Sequence, residues 1–179
     1  MQYDGAKHLV GQLGVEHTAM IARYFPSVIW MIRRNRLRAV VSALIAEQTL
    51  VWHLREESQE LSDKLQPISL DRVAEFLANQ ERNIENAEQI IESEQLPVIR
   101  LVYEDLFDPE KSLHSRVEEI YKLVGNFVDV ETDPKFRFKI AERLDQATNK
   151  VSTSNTYRRI PNIQEIEGAF GCEKNGSLF

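Results

Sequence analysis

The chain has 179 residues, 42% of them apolar, and a formal net charge of −6. This length suits a single compact domain. The negative charge disfavours general nucleic-acid binding, which depends on clustered Lys and Arg. No stretch reaches the roughly 18 apolar residues of a membrane-spanning helix, and the first residues lack a signal-peptide pattern, so we expect a soluble, cytoplasmic protein. The single cysteine, Cys172, excludes an internal disulfide and a metal site of the usual Cys/His spacing.

Two strand–helix units are predicted in the chain. The first opens with the apolar run Val28–Ile32, which is typical of a strand buried on both faces. From Leu37 onwards, apolar residues at helical spacing predict a helix that lasts to about Leu54. The second unit is a strand over residues 98–103, a turn over residues 104–107, and a helix with Asp108 as its N-cap and Gly125 as its C-cap.

A long amphipathic helix is predicted between these units, from Leu70 to about Glu94. Strands that are joined by a helical crossover form a parallel sheet, so we expect an α/β fold with helices flanking that sheet. Further helices are predicted around Ile140 and after Asn162, where Glu165 completes the spacing of a capping box. One domain over residues 1–179 accounts for the whole pattern.

Four arginines, at positions 33, 34, 36 and 38, cluster where the first strand turns into its helix. Ligands bind at the carboxyl ends of parallel strands, and a helix N-terminus offers unpaired N–H groups and a positive dipole end. We therefore expect an anion site at this turn. Tyr103 ends the second strand at the same edge, and a helical wheel places Arg38, Ser42, Thr49 and His53 on one flank of the helix.

Each of these residues also has an ordinary structural interpretation. A serine within a helix, such as Ser42, usually bonds the carbonyl one turn back. Tyr103 suits a strand end because its ring can be buried while its hydroxyl stays wet. The arginine cluster fits a solvated face, and His53 fits plain surface equally well.

Residues 28–42 resemble the 3'-phosphate-binding element of sulfotransferases: a strand, an Arg-Asn pair beginning at Arg34, and a serine eight positions after that arginine, at Ser42. Residues 46–53 are similar to the stretch that follows in bacterial carbohydrate sulfotransferases. Residues 102–106 and 159–165 resemble two further segments of the family. The resemblance extends from about residue 5 to residue 167.

The resemblance implies a P-loop-like three-layer sandwich and a metal-free transfer of a sulfuryl group from 3'-phosphoadenosine 5'-phosphosulfate (PAPS) to a hydroxyl, in first place that of a carbohydrate. It implies four contacts to this nucleotide: Arg34, Ser42, Tyr103 and Arg158. Gln48, Trp52 and His53 are the candidate substrate contacts. The acceptor also requires a general base, and the sequence leaves four candidates open: His8, His17, His53 and Glu104.

The glycine-containing loop with which the family binds the 5'-phosphosulfate is not recognisable in the sequence. The weak strand pattern over residues 5–10 is similar to a family strand that follows this loop. We therefore expect the domain to be N-terminally incomplete and this chain alone to bind nucleotide but to turn over little or no donor. The rival interpretation is a non-catalytic nucleotide-binding or protein-interaction module, whose helix over residues 70–94 packs against a partner or against a second copy in a homodimer. A kinase-like phosphoryl transferase is disfavoured because no glycine precedes a Lys-Ser or Lys-Thr pair.

Overall fold

The computed structural model describes residues 7, 9, 14–50, 65–108, 110–125, 134–146 and 154–179. The elements within these ranges are α1 (Val15–Tyr24), β1 (Val28–Ile32), α2 (Arg36–Thr49), α3 (Leu70–Ser93), β2 (Val98–Val102), α4 (Tyr103–Leu106), α5 (Leu113–Gly125), α6 (Pro134–Gln146), α7 (Ser154–Arg158) and α8 (Ile163–Phe170). None of these helices is long and apolar enough to cross a membrane.

The two strands pair in parallel, with Val28 opposite Val98 and Ile32 opposite Val102. The predicted parallel sheet with a helical crossover is thereby confirmed. Because the strands end at the same level, the residues that follow them leave the sheet side by side. Arg33 and Tyr103 are consequently neighbours at the carboxyl edge.

Helices pack on both faces of this sheet, but within the described ranges they cover only β2 on the face away from α3. There β1 exposes Ile29 (48%) and Met31 (55%), so the prediction that β1 is buried on both faces is wrong. On one face Trp30 of β1 packs against Ala87 and Ile91 of α3. On the other face Ile99 and Leu101 of β2 pack against Leu106, with partly buried Phe107 and Ile120 beside them. The α/β class predicted from the sequence agrees with this arrangement.

The largest hydrophobic core lies around α2 and the C-terminal residues. Leu37, Val41 and Ile45 recur every fourth residue, so they share one helix face, and all three are fully buried. Other members of this core come from the end of the chain, including Ile160, Ile166 and Leu178. The C-terminal residues are thus anchored beside the start of α2.

Two predicted helix boundaries are wrong. Helix α2 ends at Thr49 rather than near Leu54, and Leu50 adopts a left-handed conformation with φ of +58° that terminates the helix. Helix α5 begins at Leu113 rather than after Asp108. Its first turn is capped by Ser112, whose Oγ accepts the Ser115 N–H at 3.1 Å.

Other local predictions have mixed outcomes. Residues 103–106 form the short helix α4, where Tyr103 was predicted to end the strand and residues 104–107 to form a turn. The capping box at Asn162 is wrong, because this side chain accepts the Ile68 N–H at 2.9 Å and donates to the Ile68 carbonyl at 2.8 Å instead of capping α8. The strand predicted over residues 5–10 lies largely outside the described residues, and Lys7 and Leu9, which are described, are not in a strand.

Candidate functional site

The β1–α2 turn is organised by Asn35, the N-cap of α2. Its side-chain oxygen accepts the Arg38 N–H at 2.9 Å. Its side-chain nitrogen donates to the Ser177 carbonyl at 2.6 Å. This one amide therefore caps the helix and also attaches the C-terminal residues to the turn.

The remaining N–H groups of the first turn of α2 are also paired. Leu37 donates to the Asn175 carbonyl at 2.8 Å and Arg36 donates to the Arg34 carbonyl at 3.0 Å. The N–H of Ala39 bonds the Asn35 carbonyl at 3.3 Å. The prediction of unpaired backbone donors at this helix start is wrong. An anion at this turn must be held by side chains.

The residues that follow β2 contact the residues that follow β1. Glu104 accepts the Arg34 N–H at 2.9 Å through Oε2 and the Asn35 N–H at 3.0 Å through Oε1. Burial alone would raise the pKa of the Glu104 carboxyl, but these two N–H groups and the nearby charge of Arg33 lower it below its ordinary value. The carboxylate is therefore ionised and fully engaged.

Tyr103 supports Arg33, whose guanidinium lies over the Tyr103 ring, 4.6 Å from its centroid. Cation–π contacts of this kind hold a guanidinium in a fixed plane. The same ring also contacts Phe107, with centroids 4.5 Å apart. Burial raises the pKa of the Tyr103 phenol, so the hydroxyl stays protonated. Tyr103 thus forms a platform at the edge of the sheet.

Arg34 points outward and forms an ion pair with Asp105. The arginine side chain is 62% exposed and the aspartate 45% exposed. Ion pairs this exposed add little to stability, because water competes for both groups. The Arg34 guanidinium is therefore held loosely enough to exchange Asp105 for another anion.

Ser42 lies on the flank of α2, with its Oγ 2.9 Å from the hydroxyl of Tyr157. That hydroxyl also donates to the Arg38 carbonyl at 3.5 Å. Tyr157 is only 2% exposed, whereas Ser42 is half-buried. The Ser42 hydroxyl is thus paired with Tyr157, 115 residues away. The structural interpretation of Ser42 had instead paired this hydroxyl with the carbonyl one turn back in its own helix.

The other arginines of the cluster have separate partners. Arg36 pairs with Glu81 of α3 at 3.7 Å, and Arg38 donates to the Leu178 carbonyl at 3.0 Å. Both side chains are partly buried. The cluster is therefore not one solvated face, and Arg34 is its exposed member.

The remaining predicted site residues are scattered. His17 is exposed on α1. The Gln48 amide bonds both backbone groups of Gln66, at 3.3 and 3.2 Å. Arg158 lies over the ring of Phe179, 5.8 Å from its centroid. His8, Trp52 and His53 lie outside the described residues.

Thus Arg34, Tyr103 and Glu104 come together at one edge of the sheet. Asp105 was not among the predicted site residues, although it stands next to Glu104 in the same motif. Tyr157 was not predicted either, because no local pattern marks it. Among the described residues, no three His, Cys, Asp or Glu side chains gather as a metal site requires.

A family model described as Stf0 sulphotransferase matches residues 4–158. The matched stretch includes both strands, helix α2 and the residues that meet at the carboxyl edge of the sheet. No curated protein and no solved structure matches the chain significantly.

Proposed function

The chain belongs to the Stf0 sulphotransferase family, and on this basis we propose that its sulfuryl donor is PAPS and that its acceptor is a hydroxyl group of a carbohydrate or another small compound. The membership also leads us to propose that the sheet belongs to a P-loop-like three-layer sandwich. The helices on both of its faces, α3 on one side and Leu106 with α5 on the other, support this.

The observation that carries the donor proposal is the exposed guanidinium of Arg34 at the carboxyl edge of the sheet. A phosphate monoester carries about 1.5 to 2 negative charges at neutral pH and three acceptor oxygens, whereas Asp105 offers one charge. Arginine also binds phosphate through two parallel hydrogen bonds. The 3'-phosphate of the donor is therefore a stronger partner for Arg34 than Asp105 is.

Ser42 is proposed as the second ligand of this phosphate. Its hydroxyl is half-buried and hydrogen-bonded to Tyr157. A hydroxyl carries one donor and two acceptor lone pairs and rotates freely. When Ser42 donates its proton to a phosphate oxygen, Tyr157 turns its own proton from the Arg38 carbonyl to the Ser42 Oγ. Tyr157 then holds the Ser42 hydroxyl in place as its donor.

Tyr103 is proposed to lie beside the adenine. One face of its ring is under Arg33 and the ring also touches Phe107, so the base would contact the ring edge or the outer face of the Arg33 guanidinium. Guanidinium planes stack on aromatic faces. Arg33 and Tyr103 together thus provide the platform.

In the proposed reaction the acceptor oxygen forms a bond to sulfur while the bond between sulfur and the bridging phosphate oxygen breaks. The acceptor proton passes to a base, and the electron pair stays on the nucleotide phosphate. The enzyme contributes mainly by positioning and by stabilising charge. Glu104 is better suited to holding the turn than to taking the proton, because both of its oxygens already accept N–H groups. The candidate base remains among His8, His17 and His53.

Two measurements test this function. Calorimetric titration compares adenosine 3',5'-bisphosphate with ADP, and we expect the bisphosphate to bind at least about tenfold more tightly, as one charge-assisted contact allows. Transfer of labelled sulfate from PAPS is then measured with a panel of sugars and phenols. Equal affinity for the two nucleotides would overturn the donor proposal. Binding of the bisphosphate without transfer to any acceptor would indicate either a nucleotide-binding module or a donor site that lacks its 5'-phosphosulfate loop.

A further inference from the structure

We propose that Glu104 is a positioning residue, which orients Arg34 toward the 3'-phosphate of the nucleotide without touching the nucleotide itself. The proposal rests on the function proposed above. It concerns the backbone of the β1–α2 turn, which the carboxylate of Glu104 holds from the neighbouring strand.

The geometry is a bridge across two consecutive peptides. The two oxygens of Glu104 accept the N–H groups of Arg34 and Asn35 at 2.9 and 3.0 Å. A planar carboxylate that bonds two successive amides fixes the peptide plane between them. The direction in which the Arg34 side chain leaves the backbone is thereby fixed as well.

The bridge is strong because of its setting. Both donors precede α2, so no helical carbonyl is in place to accept them. The carboxylate stays ionised because the two N–H groups and Arg33 lower its pKa, and hydrogen bonds to an ionised acceptor are about twice as strong as neutral ones. The bond to the Asn35 N–H is partly buried, so water replaces it poorly, whereas the bond to the Arg34 N–H is exposed.

The neighbours of Glu104 act on side chains, whereas Glu104 acts on the backbone. Tyr103 supports the Arg33 guanidinium and Asp105 pairs with the Arg34 guanidinium. Glu104 therefore reaches a bound anion only through the orientation of Arg34. If Glu104 acted only through its charge, its removal would have the opposite effect on affinity, because removing a negative charge near the site would strengthen the binding of a phosphate.

This difference in sign defines the experiment. The Glu104→Gln variant keeps the shape and one acceptor oxygen but leaves one N–H facing an amide nitrogen. Calorimetric titration with adenosine 3',5'-bisphosphate should show affinity weakened by roughly fivefold or more. ADP affinity should change less than about twofold, because ADP lacks the 3'-phosphate. Glu85→Gln, an exposed glutamate on α3, is the matched control and should bind both nucleotides like the unmutated chain.

A second variant separates geometry from charge. Glu104→Asp keeps the charge but is one methylene shorter, so it cannot reach both N–H groups in the same way. If Glu104 acts by positioning Arg34, the Glu104→Asp variant should also lose affinity for the bisphosphate but not for ADP. A merely structural role would lower the melting temperature and weaken both nucleotides equally, so each variant is also melted with and without each nucleotide.

The outcomes are distinct. If the unmutated chain binds the bisphosphate no better than ADP, the proposed function and the role of Glu104 both fail. If the unmutated chain discriminates but Glu104→Gln and Glu104→Asp discriminate equally well, the positioning role alone is overturned. Tighter bisphosphate binding by Glu104→Gln would also overturn it, in favour of simple charge repulsion.

Discussion

Arg34 forms its ion pair with Asp105, the residue immediately after the carboxylate that holds the Arg34 backbone. One short segment therefore fixes the main chain of Arg34 firmly and its side chain weakly. The firm contact uses two hydrogen bonds, of which the one to Asn35 is partly buried, whereas the weak contact is a single ion pair exposed to solvent. This division suits a residue that must be directed at a ligand and yet be able to release its resting partner.

Asp105→Asn is expected to strengthen the binding of adenosine 3',5'-bisphosphate. The substitution removes the anion that competes with the phosphate for Arg34, and exposed pairs of this kind are worth up to about 1 kcal/mol, so the gain should be about two- to fivefold. Calorimetric titration at low and high salt measures it, and the gain should shrink as salt screens the pair. Glu47→Gln, which disrupts a comparable exposed pair with Arg72, is the control. Weaker binding by Asp105→Asn would show that Asp105 orients Arg34 rather than competing for it.

Arg34→Ala is expected to weaken the bisphosphate by roughly tenfold or more, since it removes a charge-assisted contact, while ADP affinity changes little. Competitive titration of both nucleotides against the same variant gives the ratio directly. Arg36→Ala serves as the control, because Arg36 pairs with Glu81 and should affect stability rather than nucleotide choice. Equal losses for bisphosphate and ADP would place Arg34 outside the 3'-phosphate site.

Tyr103→Phe is expected to be mild and Tyr103→Ala costly for nucleotide binding. The phenylalanine keeps the ring under Arg33, and the hydroxyl carries little of the contact. Alanine removes the platform and leaves Arg33 unsupported. Nucleotide affinity and melting temperature are measured for both variants. If only the melting temperature falls, Tyr103 is a core-edge residue and not part of the adenine subsite.

The sequence predicted the elements whose determinants are local. The apolar run Val28–Ile32 and the spacing that follows Leu37 specified β1 and the start of α2, and the crossover helix specified parallel pairing. Arg34 and Tyr103 were expected at one edge because parallel strands end together. The arrangement of the site around Arg34 could therefore be anticipated in outline.

Contacts between distant segments could not be anticipated. The backbone donors at the start of α2 looked unpaired, but the Asn175 carbonyl accepts the Leu37 N–H. The Asn35 side chain that caps the helix also bonds Ser177, 142 residues away. Asn162 has the pattern of a helix cap, yet its side-chain amide forms hydrogen bonds with the backbone of Ile68, 94 residues away. In both cases a tertiary hydrogen bond overrides a sound local pattern.

Gly176→Ala is expected to destabilise the protein and to loosen the β1–α2 turn. Gly176 has a φ of +83°, where an L side chain costs about 1–2 kcal/mol. A Cβ built there would lie 2.6 Å from the Asn35 Cγ, so the cap of α2 would have to move.

The matched control is Gly168→Ala within α8, where an added Cβ meets nothing within 4 Å. It should stabilise by up to about 1 kcal/mol, because alanine is the better helix former. Denaturant unfolding gives the free energy of unfolding of both variants, and calorimetry gives their bisphosphate affinity. Both quantities should fall in Gly176→Ala and neither in Gly168→Ala, since Asn35 adjoins Arg34 and its displacement disturbs the peptide that Glu104 holds. A Gly176→Ala variant as stable as the unmutated chain would show that the C-terminal residues do not clamp this turn.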